Sequence, residues 1–333
     1  MKHANISLFV PHVGCRHRCS FCDQNTITGE SLLPHEKEVD EAVAVALESG
    51  KVDPKNTEIA FFGGSFTAIR EDYMTELLDA AYKYVEAGTV SGIRISTRPD
   101  AIDENILNLL KKKGVKAIEL GAQSMCDEVL EKNRRGHTKE DVKKASALIK
   151  EFGFELGLQM MTGLYGTTHE TDIATAEEII ALKPDTVRIY PTIILEGTHL
   201  GELYKKGEYK TYSLSESVSL CAELLERFRE NGIKVIRLGL HNIEQEKYLS
   251  GPWHPAFREL CEAEIYYNKA LKILKTYPEG KYTLLVSPSA ISKMTGQNKQ
   301  NLARLFKSGY TCRVEGAKKI GEYEVKIKKE GER

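Results

Sequence analysis

The sequence predicts an α/β protein, a parallel array of βα units followed by a small α+β unit, and three observations carry that expectation. Short apolar or β-branched runs alternate with amphipathic stretches from the start to about residue 245, the pattern of a parallel sheet with helices packed on it. Two capping boxes open helices between such runs. The segment Gly251-Pro252-Trp253-His254-Pro255 then breaks the alternation and marks a boundary.

In order, the candidate strands are residues 6–13, 58–62, 92–96, 117–120, 155–160 and 185–190. Thr138-Lys139-Glu140-Asp141 opens a helix that runs to Phe152, and Ser213-Leu214-Ser215-Glu216 opens one that ends near Asn231-Gly232. In each, a hydroxyl residue three places before an acid satisfies backbone N–H groups that the first turn leaves free. A further strand, 234–240, follows the second of these helices. Beyond the boundary come a helix at 256–276, a strand at 282–286, a helical stretch at 290–307, and strands near 310–314 and 323–328. The chain therefore divides into domains 1–249 and 250–333, and the second is suited to cover the open edge that a sheet must protect. No internal repeat and no low-complexity tract interrupts this order.

The 333 residues suffice for a full core and a second small domain. A net charge of −1 gives no whole-chain argument for nucleic acid or an anionic surface. The charge is uneven, however: residues 250–333 carry sixteen Lys and Arg against nine Asp and Glu, net +7, which leaves −8 for the rest. No run is apolar for long enough to span a bilayer, and Met1-Lys2-His3-Ala4-Asn5 leads into a strand without a signal-peptide core. A cytoplasmic protein with no membrane partner is expected. Seven cysteines, an odd number, with Cys126, Cys221, Cys261 and Cys312 scattered, make no disulfide framework. Those four read as core thiols.

The chemistry concentrates in Gly14-Cys15-Arg16-His17-Arg18-Cys19-Ser20-Phe21-Cys22. Thiolates at these spacings can converge on one centre, and sulfur-only ligation favours zinc or an iron–sulfur cluster. Zinc would want a fourth protein ligand, for which His12 and His17 are at hand. A cubane cluster on Cys15, Cys19 and Cys22 would keep one iron without a protein sulfur. Polar motifs recur at the ends of the expected strands: Gly63-Gly64-Ser65, Thr97-Arg98-Pro99-Asp100, Gln123-Ser124, Gln159, and Arg188 with Tyr190 and Pro191. In parallel α/β folds the reactive site lies at these C-terminal strand ends. Arg134 and Arg135 precede the first capped helix, where a guanidinium can grip a carboxylate in a planar fork.

The cysteine loop, with Phe21 before its last cysteine, resembles the mark of the radical S-adenosylmethionine (SAM) enzymes. The resemblance implies an open parallel (βα)6 partial TIM barrel. It also implies a [4Fe–4S] cluster on Cys15, Cys19 and Cys22, whose fourth iron takes the amino and carboxylate groups of SAM. By the same resemblance Gly63, Gly64 and Ser65 offer backbone acceptors to the SAM ammonium, and Gln123 and Ser124 lie on its ribose and cluster side. Arg135 takes its carboxylate, with Arg134 as the alternative. Gln159 falls at a ribose contact where relatives have Asp, and Arg188 lines the adenine or substrate side.

Thr97-Arg98-Pro99-Asp100 is similar to a stretch of the elongator-like branch, with the likeness running from about Ile93 to His241. Three departures stand beside it. That branch has a longer gap between its first two cysteines, and the 333 residues leave no room for its acetyltransferase domain. Relatives also follow Gly-Leu with Pro, where this chain has Tyr165-Gly166 after Gly163-Leu164. The branch implies an electron donor such as flavodoxin or ferredoxin, and RNA modification, for which Lys293, Lys299, Arg304 and Lys307 would meet phosphate. A small-molecule substrate, as in the coproporphyrinogen oxidase branch, is the alternative. A non-enzymatic zinc-binding module is the second.

Overall fold

The computed structural model describes residues 4–10, 15, 18–22, 33–240 and 245–328. Seven strands lie side by side in chain order: β1 (Ala4–Val10), β2 (Thr57–Gly63), β3 (Gly92–Thr97), β4 (Val115–Gln123), β5 (Glu155–Thr162), β6 (Thr186–Pro191) and β8 (Lys234–Leu238). Every neighbouring pair is parallel. β1 and β8 form the two edges, so the barrel is open. The further strand read at 234–240 joins the six as β8. A short antiparallel pair, β7 (Ile194–Leu195) with β9 (Tyr248–Ser250), lies outside this sheet.

Alternation along the strands divides the sheet into two unlike faces. Ile59 and Phe61, Ile93 and Ile95, Ile118 and Leu120, and Leu156 and Leu158 turn to the helices and build the core. The other face, the lumen, carries Glu58, Arg94, Ser96, Glu119, Gln159 and Arg188. Among the covering helices are α1 (Glu36–Glu48), α2 (Glu71–Glu86), α3 (Glu104–Lys112), α4 (Asp127–Lys132) and α5 (Lys139–Glu151), then α6 (His169–Ala181), α7 (His199–Lys205) and α8 (Leu214–Glu230). Both expected capping boxes form: the Thr138 side chain accepts from the Asp141 N–H and that of Ser213 from the Glu216 N–H.

The chain then runs into α9 (Phe257–Leu274), which packs along α8 and adds Phe257, Cys261 and Ile265 to the same core. Arg258 donates to the Val235 carbonyl at 3.0 Å, so this unit docks at the β8 edge. Its small sheet has β10 (Gly280–Val286) in the middle, with β11 (Tyr310–Gly316) parallel and β12 (Lys326–Ile327) antiparallel to it. The helical stretch expected at 290–307 is in fact two helices, α10 (Ile291–Thr295) and α11 (Gln300–Lys307). Gly296 at φ 75°, with left-handed Asn298 and Lys299 at 49° and 61°, breaks it. Among the described residues no helix is long and apolar enough to cross a membrane.

Candidate functional site

The site gathers where β1 to β6 end. Val10 closes β1 against Gly63, and the Gly64 N–H donates to the Val10 carbonyl at 2.8 Å. Gly63 sits at φ +110°, and a Cβ there would stand 3.0 Å from the Val10 carbonyl oxygen. Only glycine fits this close approach. Ser65 is buried, and its backbone hydrogen-bonds to Cys15. Desolvation and then the neighbouring Cys19 push the Cys15 thiol up, while Arg98 and Arg135 pull it down.

The second and third cysteines are held by a buried anchor. Between them Ser20 donates its backbone N–H to the Asn133 carbonyl at 3.1 Å and its hydroxyl to Asn133 Oδ1 at 2.7 Å. Asn133 in turn donates to the Val129 and Tyr165 carbonyls at 2.7 and 2.9 Å. Phe21 packs against the cluster of Ile194, Leu200 and Tyr209. The two histidines offered as a fourth zinc ligand, His12 and His17, lie outside the described residues, as do positions 11–13 of the first expected strand.

Arg135 is the hub. Its Nη1 donates to Cys19 Sγ at 3.0 Å and its Nη2 to the Gly121 carbonyl at 2.7 Å, while its guanidinium lies 5.9 Å from the centre of the Phe21 ring. Arg98 holds the Arg135 backbone carbonyl at 2.8 Å and pairs with Asp100. Arg134, by contrast, is exposed at φ 55° and meets His199. Gln123 ends β4 with φ 65°, just past a register shift in the β4–β5 pair. A Cβ on Gly121 would come within 3.0 Å of Gln123 Nε2 and 3.3 Å of Arg135 Nη2, so the bare backbone there lets both side chains converge.

Two expected residues face elsewhere. The Thr97 hydroxyl is engaged by Thr67 at 2.6 Å and ties the ends of β2 and β3 together. Ser124 turns to Thr175 on α6 at 3.3 Å and accepts from the Cys126 N–H. Gln159 and Arg188 do point into the lumen, where both bind Glu119: Gln159 Nε2 at 3.0 Å, and Arg188 through two bonds of 2.5 and 2.9 Å.

Glu119 was not singled out by the motifs, and neither was the network below it. Arg94, 2 % exposed, pairs with Glu58 at 2.7 Å and Glu155 at 2.8 Å, and reaches Glu119 at 3.5 Å. The available signal was a charge at alternate positions inside runs that are otherwise apolar, as in Thr57-Glu58-Ile59 and Ile93-Arg94-Ile95. His137 was missed too. Its Nε2 donates to the Ala122 carbonyl at 3.2 Å, and burial pushes its pKa down to about 4.

The basic residues of the C-terminal unit do not form the free patch expected of them. Lys293 pairs with Glu262 at 2.7 Å, and Arg304 is matched by Glu264 and stacked 3.5 Å over Tyr267. The buried Glu262 and half-buried Glu264 of α9 neutralise both, leaving Lys299 and Lys307 exposed.

The loop supplies three free thiols, Cys15, Cys19 and Cys22, although among the described residues no three His, Cys, Asp or Glu side chains are gathered into a metal site. Gln123 Oε1 and Arg135 Nε are buried without a partner among the described residues. Buried polar atoms are rarely left so, and together with the Gly63 and Gly121 approaches they fit a polar cofactor laid across the strand ends.

Comparison with known proteins bears on this arrangement. The model of the Radical SAM superfamily matches residues 9–179, and that of the Radical_SAM C-terminal domain matches residues 184–267. A tRNA uridine(34) acetyltransferase of Methanocaldococcus jannaschii is 41% identical over 129 residues, 38% of this chain and 24% of that protein. Human Elongator complex protein 3 is 35% identical over 188 residues, 50% of this chain and 34% of that protein. The matched stretch is thus about a third or less of these relatives' length. Among solved structures, the archaeal Methanocaldococcus infernus Elp3 with an N-terminal deletion aligns with TM-score 0.65 at 23% identity, covering 81% of this chain and 68% of that one. That likeness shows the fold.

Proposed function

The chain belongs to the radical SAM superfamily, and from that premise we propose that it is an RNA-modifying member of the elongator-like branch, working in the cytoplasm. It is an enzyme of that chemistry, with a [4Fe–4S] cluster and SAM as cofactors. Membership sets the zinc-module reading aside. Held on Cys15, Cys19 and Cys22, the cluster would supply the electron for reductive cleavage of SAM, which is the chemistry of this superfamily.

The chain's own residues divide the remaining work. Cys15, Cys19 and Cys22 hold the iron, and Arg135 beside Cys19 takes the SAM carboxylate in its fork. Gly63, Gly64 and Ser65 receive the ammonium, Gln123 and Gln159 face the ribose, and Arg188 borders the chamber. Thr97 and Ser124 support the strand ends rather than touch the cofactor. The observation that carries this reading is Arg135, which joins the cysteine loop to the end of β4 through one guanidinium.

Family chemistry needs a reductant, for which we assign flavodoxin or ferredoxin. RNA as substrate is supported by the relatives' names and by the net +7 of residues 250–333. A small-molecule substrate is the second reading, favoured by the ion pairs that occupy Lys293 and Arg304. The test is anaerobic reconstitution with iron and sulfide, then reduction with dithionite in the presence of SAM. Four irons per chain and formation of 5′-deoxyadenosine are expected, with a mass change in transfer RNA added to the reaction. If 5′-deoxyadenosine forms but no RNA binds even at low salt, where phosphate contacts are strongest, the small-molecule reading takes over.

A further inference from the structure

β6 and β8 pair with a register shift. Val187 lies beside Val235, but Arg188 lies beside Arg237, so β8 has one residue more than its partner at Ile236. Val235 packs in the core, and a period of two from it would send Arg237 to the same helix-facing side. The extra residue turns the strand over, so that Arg237 faces the lumen beside Arg188 and Leu238 returns to the core. Bulges of this kind re-aim a side chain next to a site.

The two neighbouring arginines differ in one respect. Arg188 is bound through two bonds by Glu119. Arg237 has no carboxylate partner among the described residues, and its Nε donates to the Gly239 carbonyl at 3.0 Å. That bond runs two residues along the strand toward its C-terminal end, where the reactive site lies, and among the described residues no hydrogen bond engages the four N–H donors of the terminal nitrogens. The guanidinium is half-buried, and desolvation lowers its pKa; the neighbouring Tyr190 raises it, while Arg188 and Arg258 lower it further. Arg258 already has Glu262 at 3.0 Å. Holding a partly desolvated cation without a counter-charge is costly. The cofactor's carboxylate is out of reach, since β4 and β8 are three strand spacings apart, roughly 14 Å along the sheet.

We propose that Arg237 is an anion subsite of the lumen that takes a phosphate group of the substrate. Its fork matches two phosphate oxygens, and one negative charge there balances a cation that has no carboxylate partner among the described residues. The group can belong to an RNA chain or to a free nucleotide, and the subsite stands under either reading of the substrate.

The test uses the full chain, reconstituted anaerobically, and three probes: inorganic phosphate, uridine 5′-monophosphate and a short oligoribonucleotide. Arg237→Gln is expected to weaken binding of the tightest probe by about tenfold or more, and Arg237→Lys by less, since the charge stays and the fork is lost. Where the Gln variant melts early, the Lys variant carries the comparison. Effects seen with the monophosphate or inorganic phosphate name a free phosphate, and effects confined to the oligoribonucleotide name a phosphodiester. Both support the subsite. Equal binding of all three probes by wild type and variants would overturn it. So would a fall in SAM affinity with phosphate binding intact, which would give the guanidinium to the cofactor.

Discussion

Arg135 holds its place through groups on both sides of it, a cysteine sulfur and a strand-end carbonyl, with its Nε left over. Replacing it with Ala is expected to lower SAM affinity by roughly ten- to hundredfold, equivalent to about 1.5–3 kcal/mol. Arg135→Lys should recover part of this, because a point charge replaces a fork. Calorimetric titration of the reconstituted variants reads both, and an unchanged affinity for the Ala variant would discard the contact. His137 gives a pH signature. Unfolded, its ring binds a proton near 6.5, while the folded ring holds it off until about 4. Unfolding therefore takes up a proton in that window: the stability tied to this ring is whole above 6.5, declines as pH falls, and levels off below about 4. The size is on the order of 2–3 kcal/mol. Asp172, whose carboxyl burial pushes up to about 6, works in the opposite sense over part of the same range. The comparison to make is melting temperature against pH for wild type and His137→Gln, where the variant should lose less on acidification.

At the scale of elements, α9 carries a junction that no motif announced. Glu262 is 7 % exposed at its side chain and receives Arg258 at 3.0 Å, Lys293 at 2.7 Å and the Tyr323 hydroxyl at 3.1 Å. Glu262→Ala is expected to destabilise the fold by about 1–3 kcal/mol, less than a deep ion pair because both cations keep some access to water. Urea unfolding measures it, and a variant as stable as wild type would show that the junction contributes only shape. The strands and capping boxes were legible because alternation and hydroxyl-acid spacing are local signals. The break between α10 and α11 was missed because an amphipathic pattern runs through it, although Gly296 and Asn298 mark it in hindsight. The bulge at Ile236 had no local signal at all, since it depends on which residue of β6 each residue of β8 meets. The nearness of Arg135 to the cysteine loop, through Cys19, agrees with the order of the motifs. What Thr97 and Ser124 meet, Thr67 and Thr175, was not legible, because a strand-end motif gives the position of a side chain and not the face it turns to.

For the whole molecule, the division at residue 250 is our proposal, and the core bears on how it behaves. One apolar cluster takes in Phe228 of α8, Cys261 and Ile265 of α9 and Leu284 of β10. The full chain is therefore expected to unfold in a single calorimetric transition, and residues 1–249 alone to aggregate with the face of α8 exposed. Two resolved transitions would show the units to be independent. The sheet itself acts as a partition. Cys221 and Cys261 are fully buried on its helix side, with Cys221 behind Thr162 of β5. Thiols give up hydrogen atoms readily, and burial with raised pKa keeps these two in the protonated form that does so. Placed behind the backbone of the sheet, they would be screened from the radical that the proposed chemistry forms in the lumen. Under that chemistry the two-faced sheet would spare the protein from consuming its own reactive intermediate.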